Sequence, residues 1–213
     1  MVCFAVREEA KFFKVPDELR SVVEVVVTGM GARNAASALE KALQRKAAGL
    51  VLTCGFAGGL RPGLSAGTLI YADEEGTGIG TILAALGAVA GTFHCASRIV
   101  TFAREKEQLW RETGADAVEM ESQVIRDICR QRQIASATLR VISDAAADDL
   151  PVDFNALLTE NMEIDFGKLA WSLVRSPGRI GGLLRLQRRT QAAARKLGDA
   201  LQELLRRLAR DVR

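Results

Sequence analysis

Val22-Val23-Glu24-Val25-Val26-Val27-Thr28-Gly29-Met30-Gly31 and, one helix length later, Gly49-Leu50-Val51-Leu52-Thr53-Cys54-Gly55 decide the fold class. Each is a short apolar run rich in β-branched residues and ended by glycine, the pattern of a strand buried on both faces of a parallel or mixed sheet. Between them, residues 32–47 place Ala36, Leu39, Ala42 and Leu43 on one side of a helix. The three pieces form a β-α-β unit, which makes the chain α/β. Working outward, further strands are predicted at residues 1–6, 68–72, 98–102 and 137–142, and helices at 105–113, 121–132 and 154–159. Glu74-Glu75-Gly76-Thr77-Gly78-Ile79-Gly80 reads as a mobile loop.

The 213 residues suit one sizeable core. No apolar run is long enough to span a bilayer, and Met1-Val2-Cys3-Phe4-Ala5-Val6 runs into Glu8-Glu9 without a basic leader region, so a soluble, cytoplasmic protein is expected. Cys3, Cys54, Cys95 and Cys129 show no metal or disulfide spacing, and no metal site is predicted. The net charge of +3 is unevenly spread. Residues 165–213 carry a balance of +8, leaving −5 for residues 1–164. That asymmetry divides the chain into a catalytic part, 1–164, and a basic helical tail, 165–213, packed on it or continuous with it.

Two glycine turns each follow a strand. Gly29 and Gly31, with Arg33 just beyond, could present backbone amides to an anion at a helix start, or could simply permit a tight turn. Cys54-Gly55-Phe56-Ala57-Gly58-Gly59-Leu60 lies where ligands bind in open α/β sheets, outside the carboxyl ends of strands. Acidic residues then stand at element ends in Ala117-Val118-Glu119-Met120-Glu121-Ser122 and in Leu139-Arg140-Val141-Ile142-Ser143-Asp144. Two acids in different surroundings suit cleavage of a glycosidic bond: one grips substrate hydroxyls, the other protonates a leaving group. The competing reading of each is a surface carboxylate or a helix cap.

In order, Thr28-Gly29-Met30-Gly31, the run Gly55 to Ile70, Val118-Glu119-Met120-Glu121-Ser122 and Ile142-Ser143-Asp144 resemble the motifs of the nucleoside phosphorylase superfamily, in particular the methylthioadenosine and S-adenosylhomocysteine nucleosidases. The resemblance implies a three-layer αβα sandwich with a mixed central sheet. It implies that Asp144, oriented by Ser143, protonates the purine at N7. Glu121 would hold the ribose hydroxyls, Met120 would pack on the sugar, and Glu9, or Glu8 by one register, would position the attacking water. Phe56 stands where these nucleosidases commonly have serine; with Ala57 and Gly58 it would floor the pocket. Val51-Leu52-Thr53-Cys54-Gly55 lacks the arginine by which phosphorylases hold phosphate, which favours water as nucleophile, with Arg33 the remaining anion contact. No cofactor is implied, and a homodimer is.

The segment between Ala72 and Arg98, which contains the single histidine, His94, is shorter than the corresponding nucleosidase loop, which implies a pocket open toward a large 5′ substituent. The C-terminal words Ile164-Asp165-Phe166-Gly167-Lys168-Leu169 and Gly182-Leu183-Leu184-Arg185-Leu186 are similar to the tail of the hopanoid-associated phosphorylase subgroup, which removes adenine from adenosylhopane. Glu119 replaces the aspartate expected in that subgroup. The other outcomes left open are a methylthioadenosine or S-adenosylhomocysteine nucleosidase, a phosphate-dependent phosphorylase and a non-catalytic nucleoside-binding protein. Leu197, Leu201, Leu204, Leu205 and Leu208 make an apolar stripe opposed by Arg195, Lys196, Arg206, Arg207 and Arg210. Such a helix packs on its own domain or on a dimer mate, or lies on an anionic membrane; nucleic acid is not expected, because no recognition motif accompanies the charge.

Overall fold

The computed structural model describes residues 1–73 and 76–211. The strands β1 (Val2–Phe4), β2 (Val25–Val27), β3 (Leu50–Gly59), β4 (Leu69–Ala72), β5 (Val89–Ala90), β6 (Phe93–Cys95), β7 (Ala117–Glu119) and β8 (Ala135–Asp144) form one mixed sheet. Its main path runs β2-β1-β3-β8-β4-β5, parallel except where β4 meets β8, and β7 pairs antiparallel with the end of β3 and carries β6 on its other edge.

Helices cover both faces, as strands apolar on both sides require. On one face α2 (Ala32–Arg45) and α5 (Ser122–Gln131) pack Ala35, Leu39, Ala42, Ile125 and Ile128 against Cys3, Val26 and Val51. On the other, α3 (Ile79–Ala85) and α7 (Ile180–Asp211) bury Leu83, Leu197, Leu201 and Leu204 against Val2, Phe4, Leu52, Leu139 and Val141. The remaining helices are α1 (Arg7–Ala10), α4 (Ala103–Thr113) and α6 (Phe166–Arg175). The architecture is the three-layer αβα sandwich expected.

The leucine stripe of the tail therefore faces the core and not a lipid surface. α7 is 32 residues, about 48 Å long, and its second half completes the hydrophobic core. No helix of the described residues is long and apolar enough to cross a membrane.

Four expectations need correction. Residues 22–24 are not strand, because the amides of Val22 and Val23 both turn back to the Leu19 carbonyl. Residues 98–102 are extended but pair with no strand: Asn155 serves the amide and carbonyl of Ile99 at 2.9 and 2.8 Å, and Glu105 takes the amides of Thr101 and Phe102. Backbone groups satisfied by side chains need no ladder. The helix expected at 154–159 is one 3-10 turn, Asn155–Leu157, whose asparagine is spent on that service. Of the loop read as mobile, Glu74 and Glu75 lie outside the described residues; Thr77 and Gly80 are tied to the Asp73 carboxylate and Ile79 opens α3.

Candidate active site

The carboxyl ends of β1, β3 and β8 and the start of α5 surround a cavity of about 230 Å³. Glu9, Phe56, Ala57, Gly58, Glu119, Met120, Glu121, Ser143 and Asp144 all line it. Gly29, Gly31 and Arg33 do not. Arg33 is exposed outside it, and the Gly31 amide, held at φ +84° where α2 begins, donates to Glu121 Oε1 at 2.8 Å. The first glycine turn thus positions an acid instead of cradling an anion. His94, on β6, also lies off the cavity.

One wall is a buried charge network that the sequence reading left without a role. Arg140, on the inner face of β8, is completely enclosed and donates to Glu119 Oε2 at 2.5 Å and Thr53 Oγ1 at 3.2 Å, with Glu121 Oε2 at 3.6 Å. Burial opposes its charge, yet Glu119, Glu121 and Glu9 together hold its pKa above the usual arginine value. Glu119 spends itself inside the protein, accepting from the amides of Glu121 and Ser122 and from Ser122 Oγ. Burial works against the ionised form, but Arg140 and these donors keep Glu119 below the ordinary carboxylate range. It is a positioning group for the start of α5.

Glu121 is different. Burial, reinforced by the Glu119 charge, outweighs Arg140 and pushes its pKa to about 7. It stands at the start of α5 and lines the cavity, as a group that grips hydroxyls would. Of the two N-terminal acids, Glu8 is exposed and off the cavity, while Glu9 is buried, lines it and accepts from the amides of Phe56 at 2.7 Å, Ala5 at 2.8 Å and Val6 at 3.1 Å. Burial raises its pKa against Arg140 and those amides. Among the described residues Oε1 takes the Phe56 amide alone, which leaves it a lone pair for a water. Glycine is required at 55, where φ is +153° and a Cβ would collide with Glu9 Oε1 and lie 2.5 Å from Arg140 Nη1.

Asp144 ends β8 and lines the same cavity. Its Oδ1 meets Ser143 Oγ at 2.5 Å, and that hydroxyl also reaches the Ala57 carbonyl at 3.2 Å. Its Oδ2 is paired with Lys106, a lysine of α4 with no exposed surface. The Lys106 ammonium spends its other donors on the carbonyls of Ala145 (2.9 Å) and Asp148 (2.8 Å). No signal in Glu105-Lys106-Glu107 distinguished this residue from a solvated helix face. Most of the remaining lining is apolar, including Ile99 and Val100, Leu150 and Phe154, and Leu186 of α7, with Arg98 and Thr190 as its polar members.

A mixed-sheet αβα sandwich of this topology is the fold of the nucleoside phosphorylases and nucleosidases, enzymes that break N-glycosidic bonds. The chain belongs to the phosphorylase superfamily, whose family model matches residues 17–82 and 75–175. Among solved structures it is similar to futalosine hydrolase of Helicobacter pylori strain 26695, with 16% identity, a TM-score of 0.68, and 97% of this chain and 96% of that chain covered. It is also similar to 5′-methylthioadenosine/S-adenosylhomocysteine nucleosidases from Helicobacter pylori (16%, TM-score 0.68) and Neisseria meningitidis (17%, TM-score 0.67), each with 97% of both chains covered. Those two structures hold nucleoside-like ligands, the second methylthio-immucillin-A. No curated protein sequence matches the chain.

Proposed function

We propose that the protein is a purine nucleosidase that hydrolyses the N-glycosidic bond of an adenosine carrying an apolar 5′ group, with adenosylhopane converted to adenine and ribosylhopane as the favoured reaction. The observation that carries this reading is that Asp144, Glu9 and Glu121 line one cavity whose remaining lining is mostly apolar.

Adenine leaves poorly as an anion. The proton on Asp144 Oδ1 passes to N7 as the C1′–N9 bond breaks, and the bonding electrons go to the base. Lys106 occupies Oδ2, so Oδ1, beside Ser143 Oγ, is the oxygen through which the proton is delivered. Ser143 can donate to the Ala57 carbonyl while Asp144 is protonated and turn to donate to Oδ1 once it is a carboxylate. Glu121 holds the ribose hydroxyls and, with Glu9, faces the cationic sugar of the transition state. Glu9 Oε1 orients the water that attacks C1′ and accepts its proton.

Two features support water over phosphate. Among the described residues, Arg140 is engaged by carboxylates, and Arg98 at the rim pairs with Glu105 at 2.7 Å. Ligand cavities usually run about 300–1,000 Å³, so this smaller one suits a base and sugar with the 5′ group extending past Ile99, Phe154 and Leu186. The molecule is proposed to act as a homodimer at the inner membrane face; light scattering that gives a monomer would overturn the dimer.

The test is adenine release, followed by chromatography, from adenosylhopane, methylthioadenosine and S-adenosylhomocysteine, each with and without phosphate. Release from the first alone, indifferent to phosphate, is expected. Preference for the small substrates would return the enzyme to sulfur-nucleoside cleavage, phosphate dependence would make it a phosphorylase, and no release would favour a binding protein.

A further inference from the structure

Between Asp165 and Asp199 the chain has eight cations, Lys168, Arg175, Arg179, Arg185, Arg188, Arg189, Arg195 and Lys196, and no acid. Among the described residues, Arg189 is the one of these that pairs with an acid elsewhere, Asp148, at 3.1 Å. The same segment carries exposed apolar side chains: Phe166 (77% exposed), Trp171 (60%), Val174 (75%), Ile180 (44%) and Leu184 (51%). α6 contributes no buried residue. Its sequence, FGKLAWSLVR, is nevertheless mostly apolar, and Asp165 caps it through the amides of Gly167 and Lys168, so the helix is built with Leu169 and Leu173 half-buried and Phe166, Trp171 and Val174 left uncovered.

We infer that the elbow made by α6 and the first half of α7 docks on an anionic lipid bilayer and holds the mouth of the cavity at the lipid interface. This deepens the proposed function and rests on it only for the identity of the substrate. Outward Trp and Phe with aliphatic neighbours, framed by cations, are what an interfacial helix presents to headgroups and acyl chains. The Arg175 guanidinium lies 4.8 Å from the Trp171 ring centroid, so charge and aromatic reach the surface together.

A second copy of this chain is the poorer occupant. A two-fold interface would bring the patch against itself and stack one acid-free cationic segment on another. Nucleic acid would use the cations but leave Val174, Ile180 and Leu184 without a role.

Continuity with the cavity gives the surface its purpose. Leu186 and Thr190 of α7 line the cavity, while Ile180 and Leu184, within two turns of them, face outward. The helix start lies close on the wall segment Leu150–Pro151: a Cβ at Gly182 would sit 2.9 Å from the Pro151 Cβ. A lipid-borne nucleoside could pass from the bilayer along this helix without its apolar group crossing water.

The full chain would be sedimented with vesicles of phosphatidylcholine containing phosphatidylglycerol, and with phosphatidylcholine alone. Binding to the anionic vesicles only, weakened by salt, is expected. Neutralising Arg175, Arg179 and Arg185 to Gln should cost about fivefold per cation, or roughly a hundredfold in all. Phe166→Ser with Trp171→Ser and Val174→Ser should abolish what remains. Adenine release from a detergent-dispersed 5′-alkyl adenosine should be unchanged in both variants and also shows that they fold. Equal binding to neutral vesicles, binding unaffected by the substitutions, preference for a DNA or RNA oligonucleotide, or a dimer that the serine variant dissociates would each overturn the docking. If the vesicles bind but no substrate releases adenine, the docking stands and the nucleosidase reading falls.

Discussion

Replacing Glu121 by glutamine should make the fold more stable and the site less active. Glu121 has a native pKa of about 7 against an ordinary 4.5, chiefly because it is buried. A raised native pKa means that the folded state binds the proton more tightly than the unfolded chain. The stability it contributes is present below about pH 4.5 and is lost as pH rises through about 7. The shift corresponds to about 3 kcal/mol at pH 8. Glutamine mimics the protonated acid, keeps an oxygen for the Gly31 amide and does not titrate. Glu121→Gln should therefore match the parent near pH 4.5 and exceed it at pH 8 by up to that amount, a melting-temperature gain of roughly 6–12 °C for a chain of this size. Urea denaturation of both proteins at pH 5, 6, 7 and 8 measures the difference directly. A variant no more stable at pH 8, or a difference that does not shrink toward pH 5, would refute the claim that this carboxylate is held in the site at a cost to the fold.

The buried partners give further expectations. Lys106→Met leaves the Asp144 carboxyl and two carbonyls without their donor and should cost about 3–5 kcal/mol, read by urea midpoint, with adenine release falling too; Lys106→Arg should not restore release, because the enclosed ammonium site has no room for a guanidinium. Gly55→Ala drives a methyl between Glu9 and Arg140 and should reduce soluble yield or lower the melting temperature by several degrees, seen by calorimetry. Leu201→Ala, in the half of α7 that completes the core, should cost about 2–5 kcal/mol, whereas substitutions of Trp171 should leave thermal stability within about 0.5 kcal/mol.

The acids were readable as candidates because each stands at or just after the end of an apolar run, but no local signal separated a cavity acid from a cap: Glu119 lines the cavity and yet accepts from the amides of Glu121 and Ser122. The sheet was legible wherever strands are long and doubly buried, as in β3 and β8. The short strands β5, β6 and β7 were not: β7 has three residues and takes its place from pairing with β3 and β6, which no local pattern announces. Residues 98–102 have a strand's composition, but Ile99 and Val100 face the cavity and Asn155, more than fifty positions away in sequence, takes over the hydrogen bonding. Arg140 was visible as a lone cation in an apolar strand, and only the fold shows that Glu119, Glu121 and Glu9 converge on it. Lys106 gave no sign, since its burial depends on the carbonyls after β8. The tail's amphipathic stripe was plain, but a stripe does not name what it faces; the structure turns the leucines inward and leaves α6 as the exposed apolar surface.

The central claim, general-acid cleavage of a 5′-substituted adenosine at Asp144, is tested most directly by measuring free adenine formed in phosphate-free buffer from adenosylhopane by the parent chain and by Asp144→Asn. The account predicts steady release by the parent and a loss of about a hundredfold or more in the variant, with the variant's melting transition still cooperative. Equal release by the two proteins, or none by the folded parent, would contradict it.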